Sequence, residues 1–161
     1  IYEGTNGIQA ADLVHRKLAS DNGRTIGAMI EEIHQFDGHL ASSDRLEIVE
    51  IRTRLAEALG ALTRSTRYVQ DCVVTDSDIA DAAATPYLDQ LATVFGGYQM
   101  ARMAVIACQS LDTGTDGQDF PRAKLATAYL YAAAFLPRSV AREQEIRGSA
   151  TLIAAYPSPM I

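Results

Sequence analysis

The sequence predicts an all-α protein, an antiparallel helical bundle of four long helices plus an N-terminal helix. Three observations carry this expectation. Apolar residues recur at threes and fours in each long segment, and nowhere do apolar and polar residues alternate in the sustained way that a half-buried strand requires. Clusters of Ser, Asp, Asn, Gly and Pro punctuate those segments. The 161 residues are 48% hydrophobic and 21% charged, apolar enough to bury a core, which excludes a disordered chain and fits one domain, or one plus a fragment.

The N-terminal helix is read from Ile8, Ala11, Leu13, Val14 and Leu18, with Thr5 or Asn6 as its N-cap. It should stop at Ser20-Asp21-Asn22-Gly23, which offers a positive-φ position and side-chain acceptors. The first long helix fits residues 25–36: Ile26, Met29, Ile30 and Ile33 form one stripe, Glu31, Glu32 and Gln35 stand outside it, and Asp37-Gly38 marks a fray or break. Ser42 or Ser43 is expected to cap the next helix. In it Leu46, Val49, Leu55, Leu59 and Leu62 recur at helical spacing, and Glu50 and Arg54 stand four apart in the supporting orientation. The pattern continues through Tyr68, Val69 and Cys72, and its end is left open by Asp76, Ser77, Asp78 and the alanines at 82–84.

Thr85-Pro86 reads as the start of a helix running to about Leu111, since proline in a first turn loses no needed N–H. Inside it stand Gly96 and Gly97, each costing about 1 kcal/mol relative to alanine. Such a pair implies close approach of a neighbouring helix. Asp112-Thr113-Gly114-Thr115-Asp116-Gly117 is the strongest loop, and Pro121 opens the last helix. Pro137 should bend or interrupt that helix, because a mid-helix proline removes a hydrogen bond and clashes with the preceding turn. Pro157-Ser158-Pro159 marks a non-helical tail.

Charge and cysteine content narrow the partners. Lys plus Arg is 14 and Asp plus Glu is 20, a net charge of −6 that offers no electrostatic footprint for nucleic acid or an anionic membrane. The longest uncharged apolar run, residues 125–136, falls short of the roughly 20 residues of a membrane span. With no basic-then-apolar leader at its start, the chain is expected to be cytoplasmic, with Cys72 and Cys108 as reduced, half-buried thiols. It begins at Ile1 rather than Met, and its first ten residues read like the interior of a longer protein.

Candidate chemistry is sparse. Asp12 with His15, and Glu31 with His34, have the carboxylate-x-x-His spacing that puts two metal ligands on one helix face, and Glu47, Glu50 or Glu57 are nominal further ligands. They are read as solvated faces, so no metal is expected, and His39 is read as exposed. Arg102, Arg138 and Arg142 are candidates for a ligand phosphate or a partner carboxylate, with a solvated or ion-paired surface as the simpler reading. Tyr87, Tyr98, Tyr129 and Tyr131 are placed at the rim of the core.

Ile1-Tyr2-Glu3-Gly4-Thr5-Asn6-Gly7-Ile8-Gln9 is the most informative stretch. It presents a carboxylate on a Gly-containing turn ahead of a helix N-terminus, a place suited to an anionic ligand. Glu3 would serve as a general base if desolvated. Otherwise it offsets the helix dipole.

Tyr2-Glu3-Gly4-Thr5-Asn6 followed by Ile8-Gln9 resembles the catalytic-base loop of the FAD-dependent acyl-CoA dehydrogenases. The continuation Ala11-Asp12-Leu13-Val14, with Arg16-Lys17-Leu18, resembles the branch that carries an additional C-terminal helical region, whose substrates include methylthio-propionyl thioesters. Beyond this the likeness is one of pattern, in Phe95-Gly96-Gly97-Tyr98 with Ala101-Arg102 and in Phe135-Leu136-Pro137-Arg138.

The resemblance implies that Glu3 removes the pro-R α-proton of an acyl-CoA thioester while the β-hydride passes to the flavin, leaving a trans-2-enoyl-CoA. It also implies that Thr5, and Asn6 beside it, lie against FAD, and that Tyr2 and Gly4 border the substrate. Gly7 departs from members with Gln or Glu there, so no side-chain contact to FAD is carried over to that position. The expected division is residues 1–20 as base loop and last helix of a catalytic bundle, residues 24–155 as an additional helical bundle, and residues 156–161 as a tail. On that reading the chain is a C-terminal fragment of a homodimeric enzyme with an electron-transfer acceptor, and by itself it neither holds FAD nor turns over acyl-CoA. The alternative is a non-catalytic structural or dimerisation module that buttresses the dehydrogenase.

Overall fold

The computed structural model describes residues 3–114 and 117–155, and every regular element in it is helical. Helix α1 (Glu3–Ala11) runs into a π-helical stretch (Asp12–Leu18). Then come α2 (Arg24–Gln35), α3 (Asp37–Ala41), α4 (Leu46–Thr75), α5 (Ser77–Asp112), α6 (Asp119–Ala134) and α7 (Leu136–Ala155). The Pro157-Ser158-Pro159 tail lies outside the described residues.

Directions follow from which residues meet. Thr66 meets Tyr87 near the α4–α5 joint, and Arg45 meets Asp112 at the far end, so these two helices form an antiparallel hairpin. The Tyr131 hydroxyl donates to the Thr93 carbonyl and the Gln90 amide donates to the Ser139 carbonyl, so α6 and α7 together run antiparallel to α5. On the other flank Gln70 reaches Asn22 and Arg52 reaches Asp37, which sets α2 antiparallel to α4. The result is an up-down-up-down bundle whose first and last rods are broken. Its apolar core joins Val14 and Leu18, Ile26 and Ile33, Ile51 and Leu62, Tyr87 and Val94, and Leu136 and Ile146.

Several boundaries differ from expectation for local reasons. Helix α1 starts at Glu3, so Thr5 and Asn6 lie within its first turn rather than capping it. First-turn N–H groups have no intrahelical partner to lose, which lets polar residues extend a helix backward at little cost. The π stretch answers the spacing of its apolar residues. Leu13 and Leu18 are both buried five positions apart, and i→i+5 bonding brings them toward one face where α-geometry would splay them. The stretch then closes where the breaker cluster predicts: Asn22 and Gly23 take φ of 54° and 72°, and the Gly23 N–H donates to the Leu18 carbonyl at 2.8 Å.

Ser42 and Ser43 do not cap α4. The Ser42 hydroxyl turns back to the His39 carbonyl, and the extended Arg45 occupies the N-cap position. Helix α5 starts at Ser77, not at Thr85-Pro86, because the Asp76 carboxylate accepts from the Asp78 and Ile79 N–H groups and supplies the cap earlier. Pro86 is therefore buried inside the helix. Asp76 is also the whole connection between α4 and α5, an extended residue with φ −159° and ψ 100°.

Two expectations are met in detail. The last predicted helix is interrupted at Phe135, and Pro137 falls in the first turn of α7. A Cβ on Gly96 would lie 2.5 Å from the Tyr131 hydroxyl oxygen, and one on Gly97 would run into the Leu136 side chain. The glycine pair is where the α6–α7 joint meets α5.

Candidate active-site segment

The motif is carried by α1. Tyr2 lies outside the described residues. The backbone of Glu3 and Gly4 opens α1, and the Glu3 side chain lies outside the described set. Thr5 and Asn6 follow in the same turn, both exposed, and neither side chain is hydrogen-bonded to another described residue. A Cβ on Gly7 would meet nothing within 4 Å, so the bareness of that position is not forced by packing.

Behind this exposed turn the segment is anchored. Ala10, Val14 and Leu18 are buried in the core. The Asp12 carboxylate takes the Arg16 guanidinium through Oδ1 at 2.5 Å and Oδ2 at 2.7 Å, with Lys17 Nζ at 3.7 Å, and the Arg16 hydrogen bond leads in holding Asp12 below the usual carboxylate range. His15 Nε2 lies 2.6 Å from Asp81 Oδ1 and ties the π stretch to α5. Asp21 accepts from the Thr25 N–H and hydroxyl, closing the turn into α2. An anchored rod thus presents a turn of small and polar residues to whatever packs against it.

The carboxylate-x-x-His pairs are used elsewhere. Asp12 is held by cations, His15 by a carboxylate on another helix, and Glu31 accepts from Gln35. Glu50 and Glu57 both take Arg54. Among the described residues no three His, Cys, Asp or Glu side chains come together in a way that would hold a metal.

Of the arginines singled out by sequence, Arg142 pairs with Asp89 at 3.1 Å and with Glu145, Arg138 stacks over the Phe135 ring, and Arg102 lies over Tyr98. Tyr129 is exposed and Tyr131 half-buried, whereas Tyr87 sits at the centre rather than the rim, fully buried and bonded to the Thr66 hydroxyl. Cys72 and Cys108 are free and buried, and burial pushes both thiols up.

Sequence reasoning missed a buried polar layer. Gln90 and Ser139 are fully buried, with the Gln90 amide donating to the Ser139 carbonyl and the Ser139 hydroxyl to the Ala58 carbonyl. The available signal was Gln90 standing three residues after Tyr87 and four before Val94, inside the apolar stripe.

Among the clefts between the described residues are three with room for a small molecule. One of about 620 Å³ lies between α2–α3 and α4, with Ile33, His34, Asp37, Arg52 and Leu59 in its walls. Another of about 880 Å³ lies between α4 and α6, bordered by Arg45, Glu50, Arg122 and Tyr129. A third of about 400 Å³ lies between α5 and α6, bordered by Arg102, Met103, Ile106, Phe120 and Lys124. Neither Thr5 nor Asn6 lines any of them.

Helix α5 is long and apolar enough, by length and composition, to cross a membrane, with an 18-residue window of mean hydropathy 1.2. Here it is packed among α4, α6 and α7. The uncharged run at 125–136 instead spans the break between α6 and α7.

A family model described as acetyl-CoA dehydrogenase C-terminal like matches residues 25–157. The 3-methylmercaptopropionyl-CoA dehydrogenase of Ruegeria pomeroyi is 34% identical over 146 residues, covering 91% of this chain and 24% of its own length. The broad-specificity linear acyl-CoA dehydrogenase FadE5 of Mycobacterium tuberculosis is 31% identical over 147 residues, covering 85% of this chain and 23% of its own. The chain thus spans about a quarter of the length of the curated relatives it matches.

Proposed function

The chain belongs to the acetyl-CoA dehydrogenase C-terminal-like family, and we propose that it is the C-terminal part of a flavin-dependent acyl-CoA dehydrogenase in which Glu3 is the α-proton base. The observation that carries this reading is the match to two acyl-CoA dehydrogenases along most of the chain. The Ruegeria match, at 91% of the chain, is too long to lie wholly within residues 25–161, so part of the N-terminal segment shares in it.

In this reaction Glu3 takes the α-proton of the thioester, two electrons leave with the β-hydrogen as hydride, and a trans-2-enoyl-CoA remains. The flavin, when bound, supplies the hydride acceptor and part of the electrophilic pull that makes a weakly acidic α-proton removable. The first turn of α1 suits such a group, since the Thr5 and Asn6 side chains stand exposed with no hydrogen bond to a described residue and Gly7 leaves the surface beside them bare. Thr5 and Asn6 would hold the flavin side, and Tyr2 and Gly4 would border the thioester. The anchored π stretch holds the helix that Glu3 opens. The same reading makes the complete enzyme a cytoplasmic homodimer that passes its electrons to an electron-transfer acceptor.

The test uses the complete enzyme. Glu3→Gln should leave FAD bound, by its absorption spectrum, while dehydrogenation of acyl-CoA falls by at least about a hundredfold, the scale of a lost general base. Turnover at the unsubstituted rate removes Glu3 as the base. The 161-residue chain alone should purify colourless, and a flavin spectrum on it would count against the fragment reading.

A second role concerns residues 24–155, which would buttress the dehydrogenase and contribute to its dimer. It is favoured by the apolar side chains α6 and its end turn outward, Tyr129, Leu130 and Phe135. Were an enzyme cut after Ser20 to stay soluble, dimeric and active, this role would be lost.

A further inference from the structure

We propose that the groove between the C-terminal half of α5 and the start of α6 binds an amphipathic organic anion, a carboxylate on a medium-length aliphatic chain. The groove holds about 400 Å³, within the range of small-molecule sites. Met103, Ile106 and Ala107 line it from α5, and Phe120 and Pro121 from α6. Ile106 and Phe120 are 62% and 70% exposed, so the bundle leaves a large apolar side chain unused on each wall.

The border of the groove carries Arg102 and Lys124. Among the described residues neither has an acidic partner: Arg102 donates to Gln99 and lies over the Tyr98 ring, and Lys124 Nζ stands 5.1 Å from the Phe120 ring centroid. At the other two clefts Arg52 is held by both oxygens of Asp37 and Arg45 by Asp112, while Arg122, on the α4–α6 cleft, donates to Gln118. Glu47 and Glu50 also make the α4–α6 cleft unsuited to an anion.

The α5–α6 groove therefore combines an apolar floor with cations that have no carboxylate to answer them. A carboxylate head placed between Arg102 and Lys124 gains charge-assisted hydrogen bonds. Its hydrocarbon tail covers Met103, Ile106 and Phe120, and the unbranched Met103 side chain adapts to the tail. This site is separate from the first turn of α1 and does not rest on the role given to Glu3.

Decanoate is the probe, titrated into the 161-residue chain by calorimetry and by NMR shift mapping, with decanol and acetate as the uncharged and tail-less comparators. Decanoate should bind more tightly than either, with shifts centred on Ile106, Ala107 and Phe120. The double variant Arg102→Gln, Lys124→Gln should weaken decanoate by about tenfold while leaving decanol unchanged. Ile106→Ser should weaken both. These side chains are exposed, and thermal melts superimposable on the unsubstituted chain verify that the variants fold. Absence of decanoate binding in the millimolar range overturns the proposal. So does an affinity indifferent to the double variant, acetate binding as tight as decanoate, or shifts confined to the α2–α4 cleft.

Discussion

Tyr87 shows how far a single side chain departs from its sequence-level description. Spacing places it on a helix face, but only the meeting of α4 and α5 encloses it completely and gives its hydroxyl to Thr66. Burial pushes its phenol up to about 12, with the Thr66 hydrogen bond acting the other way. A raised acid pKa favours the neutral phenol in the folded state, so this stability is complete below the ordinary tyrosine value near 10 and is lost as pH climbs from there through about 12. The loss should reach about 3 kcal/mol. Denaturant unfolding between pH 9 and pH 12, compared for the chain and Tyr87→Phe, should show a steeper alkaline decline in the former; parallel profiles would contradict the assignment. The candidate base follows the opposite logic. Tyr2-Glu3-Gly4-Thr5-Asn6 is legible as a motif in the bare chain, because chemistry-bearing residues are contiguous there. The pairing of His15 is not legible, since its partner Asp81 is 66 residues away.

At the scale of the element, punctuation reads well where one residue type has one physical use. Asn22 and Gly23 supply left-handed backbone, and Pro137 ends one helix and opens the next. It reads poorly where two signals compete: Pro86 suggests a start, but the Asp76 cap comes first and the helix runs through the proline. Glycines separate the two cases. Gly27 in α2 faces open space, so Gly27→Ala should stabilise the chain by about 0.5–1 kcal/mol through propensity alone. Gly97→Ala in α5 should instead cost about 1–3 kcal/mol, because its methyl meets the Leu136 side chain. Adding Leu136→Ala should recover part of the clash, seen as non-additivity in urea unfolding. Equal effects of the two glycine substitutions would show that α5 and the α6–α7 joint do not approach closely.

The whole molecule ties the motif-bearing segment to the bundle. Residues 1–20 read in sequence as one unit and residues 24–155 as another, yet Val14 and Leu18 lie in the same apolar cluster as Leu62, Tyr87 and Ile146. Leu18→Ala should accordingly cost about 2–5 kcal/mol and shift one cooperative melt, not release a separate N-terminal transition. Two resolved transitions in a calorimetric scan would argue against a shared core. By itself the sequence determined the helical class, the helix ends at Asn22-Gly23 and Pro137 and the motif that proposes a base, because periodicity, turn chemistry and a contiguous motif are properties of neighbouring residues. The tertiary structure alone decided the π stretch, the partners of Gln90 and Ser139 in the buried layer and the absence of acidic partners for Arg102 and Lys124 among the described residues. Each of these depends on which distant residues share space, and chain proximity does not encode that.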